Sequence, residues 1–242
     1  MSSDPIIELS NICKKYKIKR KSSNTLREDI EKLFSKYKKE GLTGDEFWAL
    51  KDINIKVNKG ESVGIYGPNG SGKTTIIKLI SSVTIPTKGD ISVNGTIAPL
   101  ISVGAGFHPE LTGKENIYTN GTILGMSIKY LKEKENDIID FSGLRREFLD
   151  LPIKNYSSGM NARLGFSVAV HSNADIFLLD EILAVGDEAF KKKCFKKIDS
   201  LKKKNKTFLI VTHNLENLKK ITDRIIYMEK GKILDKAPIP DN

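Results

Sequence analysis

GPNGSGKT occupies residues 67–74, between SVGIY (62–66), which reads as a buried strand, and TTIIKLI (74–80), which reads as an apolar helix. The spacing satisfies G-x-x-x-x-G-K-[ST] in full, and a strand before and a helix after are the context that makes the pattern strong. Successive backbone N–H groups, with glycines allowing close approach, form an anion nest at a helix N-terminus. In such a loop Lys73 reaches the β- and γ-phosphates of a nucleotide and the Thr74 hydroxyl binds Mg²⁺. Gly67, Asn69, Gly70, Ser71, Gly72, Lys73, Thr74 and Thr75 are therefore the candidate nucleotide-binding residues. The ordinary alternative is a tight strand–helix turn with no ligand, and the flanking elements weigh against it.

DIFLLDE (175–181) is the natural second half. A buried strand ending in Asp180 presents a carboxylate beside the metal, as a Walker B aspartate does. Glu181 follows, placed to polarise an attacking water as general base. Without the phosphate loop it would read as a solvent-facing strand end. His213, after the strand TFLIVT (207–212), is a further polar residue where a parallel sheet gathers its ligand groups. A lone His is ordinarily a satisfied loop residue, so its weight comes from its company.

Outward from these motifs the chain alternates strand-like and helix-like segments, which indicates an α/β fold with a largely parallel sheet. IIELSNI (6–12) and INIKV (53–57) read as strands, and short β-like pieces fall between 83 and 103. TLREDIEKLFSKYKKE (25–40) places Leu26, Ile30, Leu33, Phe34 and Tyr37 on one helical face, with Thr25 and Glu28 at capping-box spacing. Residues 112–150 look helical, with Ile128, Leu131, Glu135, Ile138 and Ile139 tracing a mostly apolar stripe. Absent repeats or a low-complexity linker, the reading is one domain over 1–242, with a helical insert at about 19–47 and a helical subdomain at about 104–172.

The 242 residues are 39% hydrophobic and 29% charged, an ordinary globular composition that excludes wholesale disorder. A formal charge of +10 points to an anionic partner but does not choose among nucleotide, nucleic acid and lipid. The two cysteines, Cys13 and Cys194, indicate neither a disulfide framework nor a zinc site. No apolar run approaches bilayer length and the start lacks the features of a signal peptide. The expectation is a reducing, cytoplasmic setting.

YSSGM (156–160) stands before NARLGFSVAV, a helical run. Serines and a glycine at a helix start are a favoured cap, and also a surface of small donors on a positive helix end, suited to an anion. GPNGSGKTT, YSSGM, FLLDE, AVGD and VTHN, in that order and at these distances, resemble the ATPase domain of ABC transporters. The resemblance implies a P-loop NTPase of ABC ATPase type: a RecA-like core, an antiparallel β subdomain and an α-helical subdomain. It also implies a head-to-tail homodimer, with each ATP between one chain's phosphate loop and the other's signature. Tyr156, Ser157, Ser158, Gly159 and Met160 would then face the partner's ATP, with Ser157 and Gly159 holding its γ-phosphate. Tyr16 would stack on adenine, or be an ordinary strand-end tyrosine. Asp187 would be the D-loop aspartate linking the two sites, or the N-cap of the Lys-rich helix, or both. The Gln that most of the family carries after the strand entering the helical subdomain is missing: Ser102 or Val103 stands near its place.

GAGFHPELTGKENIY, the helical insert ahead of FWALKDI and YSSGM in place of LSGGQ resemble one branch of that family. That branch comprises the ATPase subunits of exporters for bacterial surface polysaccharides of O-antigen, capsule and teichoic acid type. The resemblance implies a separate multi-span permease as partner, polysaccharide cargo passing through it, and a peripheral place on the cytoplasmic face of the membrane. Phe107, His108 and Leu111 are the candidates for contact with the permease, or part of a Gly/Pro loop packed on its own domain. The helix at 25–40 would lie near the membrane surface, or be an amphipathic helix with a solvated face. The chain ends soon after Gly231, as in short members without a carbohydrate-binding domain. The alternative is an ABC-type ATPase acting on nucleic acid or the ribosome. It draws on the lysines between 191 and 204, but Phe190, Cys194, Ile198 and Leu201 keep helical spacing among them. A solvated Lys face accounts for the pattern, and no nucleic-acid partner is expected.

Overall fold

The computed structural model describes residues 4–17, 46–100, 106–180 and 186–235. The expected helix at 25–40 with its Thr25–Glu28 cap, Ser102, Val103 and Glu181 lie outside the described residues.

A parallel-rich sheet carries the site. Its strand order is β5 (Ile97–Leu100), β6 (Ile176–Asp180), β7 (Thr207–Thr212), β3 (Ser62–Tyr66), β8 (Arg224–Glu229) and β9 (Lys232–Leu234). Every neighbouring pair is parallel except β8 and β9, a hairpin turned at Gly231. The central strands are apolar on both faces because both are covered, so they read as continuous runs rather than as alternation. FLL of β6 and all of TFLIVT are buried. α1 (Lys73–Ile80) follows β3 and buries Ile76, Ile77, Leu79 and Ile80.

A smaller antiparallel sheet orders β2 (Glu46–Val57), β1 (Ile7–Lys17) and β4 (Lys88–Val93). β1 and β2 are longer than their alternating apolar cores indicate, because each pairs with the other along its length, from Ile7↔Val57 to Lys17↔Glu46. Tyr16 and FWALKD are thereby strand residues. Irregular pairing leaves Asn11 and Asp52 with positive φ, and the Asn54 side chain accepts the Asn11 N–H at 2.8 Å.

The helical elements are α2 (Gly113–Ile123), α3 (Ile128–Ser142), α4 (Arg146–Leu149) and α5 (Ser158–Val170). α5 packs on α2, α3 and β5 and joins this unit to the sheet. In the expected stripe Leu131, Ile138 and Ile139 are buried, but Ile128, the first residue of α3, is 50% exposed. The helical unit has its own apolar cluster, apart from those on the two faces of the main sheet. At roughly 2 kcal/mol per fully buried large side chain, such clusters are the main force holding each layer.

α6 (Glu188–Lys203) buries Phe190, Cys194, Ile198 and Leu201 and turns Lys192, Lys193, Lys196 and Lys203 to solvent, so its lysines are the outer face of a packed helix. α7 (Leu215–Ile221) follows β7. Among the described residues no helix is long and apolar enough to cross a membrane.

Candidate functional site

The phosphate loop leaves the C-terminal end of β3, and its shape is dictated by what crowds it. A Cβ on Gly67 would lie 2.2 Å from the Met228 carbonyl of β8, and one on Gly72 2.8 Å from the Ala49 carbonyl of β2. Neither position admits a side chain. Gly72, at φ 104, caps α1 with no side-chain acceptor, and the first turn of α1 holds no acidic residue. The leading N–H groups of α1 are thus left without a side-chain cap, and the positive end of the helix dipole has no carboxylate of its own there.

Lys73 is 6% exposed, its ammonium donating to the carbonyls of Gly67 at 2.7 Å and Pro68 at 2.9 Å. The Ser71 hydroxyl is buried and has no hydrogen-bond partner. An orphaned buried donor, a buried cation and an uncapped helix start all fit one occupant, a polyphosphate. Asn69, Gly70 and Thr74 face outward and Thr75 is half-buried.

Two further candidates leave the same edge of the sheet. Tyr66 of β3 is level with Thr212 of β7, and Val211 of β7 with Asp180 of β6. Asp180 therefore ends its strand two strand spacings from the phosphate loop, about 10 Å, with His213 leaving the strand between. Asp180 is half-buried and His213 exposed. The carboxylate and Thr74 are a donor set suited to Mg²⁺, an oxygen-seeking cation.

Tyr16 lies on β1 opposite Phe47, ring centroids 6.0 Å apart, with the Lys14 ammonium 4.9 Å from its ring centre. Leu50, the ladder partner of Lys14, is the side chain against which Gly72 closes. The ring accordingly stands two residues along β1 from the phosphate loop.

YSSGM belongs to the helical unit. Ser157 is the N-cap of α5, its hydroxyl accepting the Met160 N–H at 3.2 Å, and Ser158 is exposed. Tyr156 departs from the expectation that it faces a partner's nucleotide: its side chain is turned inward, the residue is 8% exposed, and its hydroxyl donates to the Phe148 carbonyl at 2.6 Å. An aromatic ring buries more area by packing than by facing water. Met160 likewise packs against the helical cluster.

Asp187 caps α6, accepting the Phe190 N–H at 2.8 Å, while its other oxygen accepts from Arg163 of α5 at 2.8 Å. The bond from Phe190 and then that from Arg163 hold its carboxyl below the usual range. In the GFHPELTG stretch His108 is exposed, Leu111 half-buried, and Phe107 packs on the helical cluster. Sequence reasoning missed Arg163 and Asn116. Asn116 is fully buried and wired to the loop at 108–112. Its signal was its place four residues after the helix-capping Thr112, beside the apolar Ile117. Arg163 had none, since its partner lies on another helix.

Residues 50–184 match the ABC transporter family. The chain belongs to the ABC transporter family. It is 42% identical over 230 residues to an O-antigen export system ATP-binding protein RfbB of Klebsiella pneumoniae, covering 95% of this chain and 92% of that one. It is 40% identical over 229 residues to the teichoic acids export ATP-binding protein TagH of Lactiplantibacillus plantarum, covering 95% of this chain and 61% of the relative. Among solved structures, a dimeric ATP-binding cassette in a post-hydrolysis state with ADP and phosphate superposes with a TM-score of 0.74 at 22% identity, over 94% of this chain and 96% of that one. The fold of this ABC family member is that of such cassettes.

Proposed function

We propose that the chain is the ATP-binding and ATP-hydrolysing subunit of an exporter of bacterial surface polysaccharide. What supports hydrolysis most is the phosphate loop itself, with its buried Lys73, orphaned Ser71 hydroxyl and uncapped α1, beside Asp180 and His213 on one sheet edge. What supports the cargo is likeness to relatives named for O-antigen and teichoic acid export.

In this reading the α1 N-terminus and Lys73 bind the β- and γ-phosphates, and Tyr16 carries the adenine. Thr74 and Asp180 hold Mg²⁺, which neutralises charge on the phosphates. Ser157 and the α5 N-terminus of a second copy close over the γ-phosphate, so two chains bury two ATP between them. Glu181 takes the proton of the attacking water as its oxygen bonds to the γ-phosphorus and the bond to ADP breaks. His213 orients that water against the γ-phosphate. The loop with Phe107, His108 and Leu111 receives a separate membrane-spanning permease, which places the chain peripherally on the cytoplasmic membrane face. The helical insert at 19–47 and the helical subdomain at 104–172 complete a single cassette.

Glu181→Gln tests the chemistry. ATP stays bound, a dimer accumulates on gel filtration, and phosphate release falls by about two orders of magnitude or more, the scale of a lost general base. Near-normal turnover would remove the assignment.

A further inference from the structure

The loop that carries His108 and Leu111 and the segment leading into Ser157 form one two-ply block. Thr112 and Pro152 make an antiparallel bridge. Ile153 donates its N–H to Leu111 at 2.9 Å, Lys154 to Pro109 at 3.0 Å, and Gly113 to Leu151 at 3.2 Å. The Lys154 ammonium meets Glu110 at 2.6 Å.

Behind the loop, the Asn116 side chain accepts the His108 N–H at 2.7 Å. Its amide nitrogen shares its two hydrogens among the carbonyls of His108, Leu111 and Thr112, at 3.1, 3.0 and 2.9 Å. A buried amide so connected holds the loop to the first turn of α2, because moving the loop away would strip the Asn116 side chain of its partners inside the protein.

The block ends at Tyr156, whose N–H bonds the Ile153 carbonyl at 2.9 Å. Its ring sits over Gly113, the first residue of α2. A Cβ there would lie 2.1 Å from the Tyr156 hydroxyl oxygen and 3.1 Å from the ring carbon that bears it. Glycine and tyrosine are a matched pair across the block, and the next residue is Ser157, the N-cap of α5.

We propose that Tyr156, seated on Gly113, is a positioning residue that ties the 107–112 loop to the start of α5. A displacement of the loop then repositions Ser157 and the α5 N-terminus as one piece. The inference rests on the reading that Ser157 meets the ATP of a second copy. It adds the route by which a partner pressing on the loop gains control of that contact. The hydrogen bonds of the block join the two segments of chain, and coupling across them is reciprocal.

The test uses the purified full chain, with Gly113→Ala, Tyr156→Phe, the two combined, and Ser157→Arg as control. Gly113→Ala drives a methyl into the Tyr156 hydroxyl. ATP affinity of the isolated chain, set at the phosphate loop, stays within about twofold, while ATP-driven dimerisation and kcat fall by one to two orders of magnitude, roughly what a misplacement of about 1 Å costs. Tyr156→Phe removes the clashing oxygen and restores most of the loss in the combined variant. In the wild-type chain, ATP-driven dimerisation also slows amide exchange at Ile153, the N–H that bonds Leu111, and Gly113→Ala abolishes that response.

Unchanged dimerisation in Gly113→Ala, or a combined variant no better than Gly113→Ala, overturns the link. If Gly113→Ala does not fold, Tyr156→Ala takes its place: retained ATP affinity with lost dimerisation is expected, and intact dimerisation overturns the link. Dimers that survive Ser157→Arg remove the underlying reading instead, a distinct result.

Discussion

Glu135 stands in an otherwise apolar stripe of α3, and tertiary contacts explain how it is tolerated. Tyr118 donates its hydroxyl to one carboxylate oxygen and Lys114 meets the other at 3.0 Å. Burial pushes the Glu135 carboxyl up, but the bonds from Tyr118 and Lys114 outweigh it and hold the group below its ordinary range. The same bond drives the Tyr118 hydroxyl up to about 12. His171, the C-cap of α5, has no such rescue. It lies edge-on to Phe141 at 5.4 Å, with Nδ1 2.7 Å from the Ser167 carbonyl. Burial is the largest influence and lowers its pKa to about 4; Lys197 and Lys134 act the same way, against the Ser167 bond and Asp137. The unfolded chain therefore binds a proton that the native state refuses as pH falls from about 6.5 to about 4. Native stability is lost across that window, roughly 3 kcal/mol at about 1.4 kcal/mol per unit. Urea denaturation at pH 7 and pH 5 checks this, and His171→Gln flattens the difference.

α2 begins with a reciprocal cap: Thr112 accepts the Glu115 N–H at 3.2 Å and Glu115 accepts the Thr112 N–H at 2.8 Å. Thr112→Ala removes the first of these and destabilises the fold by about 1 kcal/mol, read as a lower denaturation midpoint with unchanged slope. TGKE carries that box in plain sight, and so does the Asp187 cap of α6. The length of β1 and β2 was less visible, because alternation weakens through KKYK and FWALKD, where ladder pairing extends the strands. The break between α2 and α3 is a Ser127 cap whose hydroxyl accepts the Tyr130 N–H at 3.2 Å. Its apolar surroundings hide it inside what reads as one helical stretch.

Across the whole molecule, ligand binding and stability are linked. ATP with Mg²⁺ that binds only the native chain stabilises it by about 2.7 kcal/mol at a hundredfold excess over Kd, raising Tm. Lys73→Met removes the cation from the phosphate loop and abolishes most of that shift. An equal shift in the variant would show that the nucleotide binds elsewhere. The parallel-rich sheet follows from the alternation of segments in the chain, while the antiparallel sheet and the helical unit were implied by the family resemblance. That the phosphate loop, Asp180 and His213 share one edge follows from the strands being parallel, which strand-to-helix alternation implies; that they are near neighbours on it follows from the order β6, β7, β3, which only the structure gives.

The sequence by itself determined the phosphate loop, the strand-end carboxylate and the capped start of α5. Each is a local pattern whose physics, backbone N–H groups at a helix start or a side chain at a strand end, is complete within a few residues. Only the tertiary structure decided which way Tyr156 faces, that Arg163 meets Asp187, that Asn116 holds the 108–112 loop to the start of α2, and that Gly113, Leu111 and Pro109 bond to the segment before Ser157. These depend on the packing of elements distant along the chain, and side-chain spacing within one segment carries no record of what lies across from it.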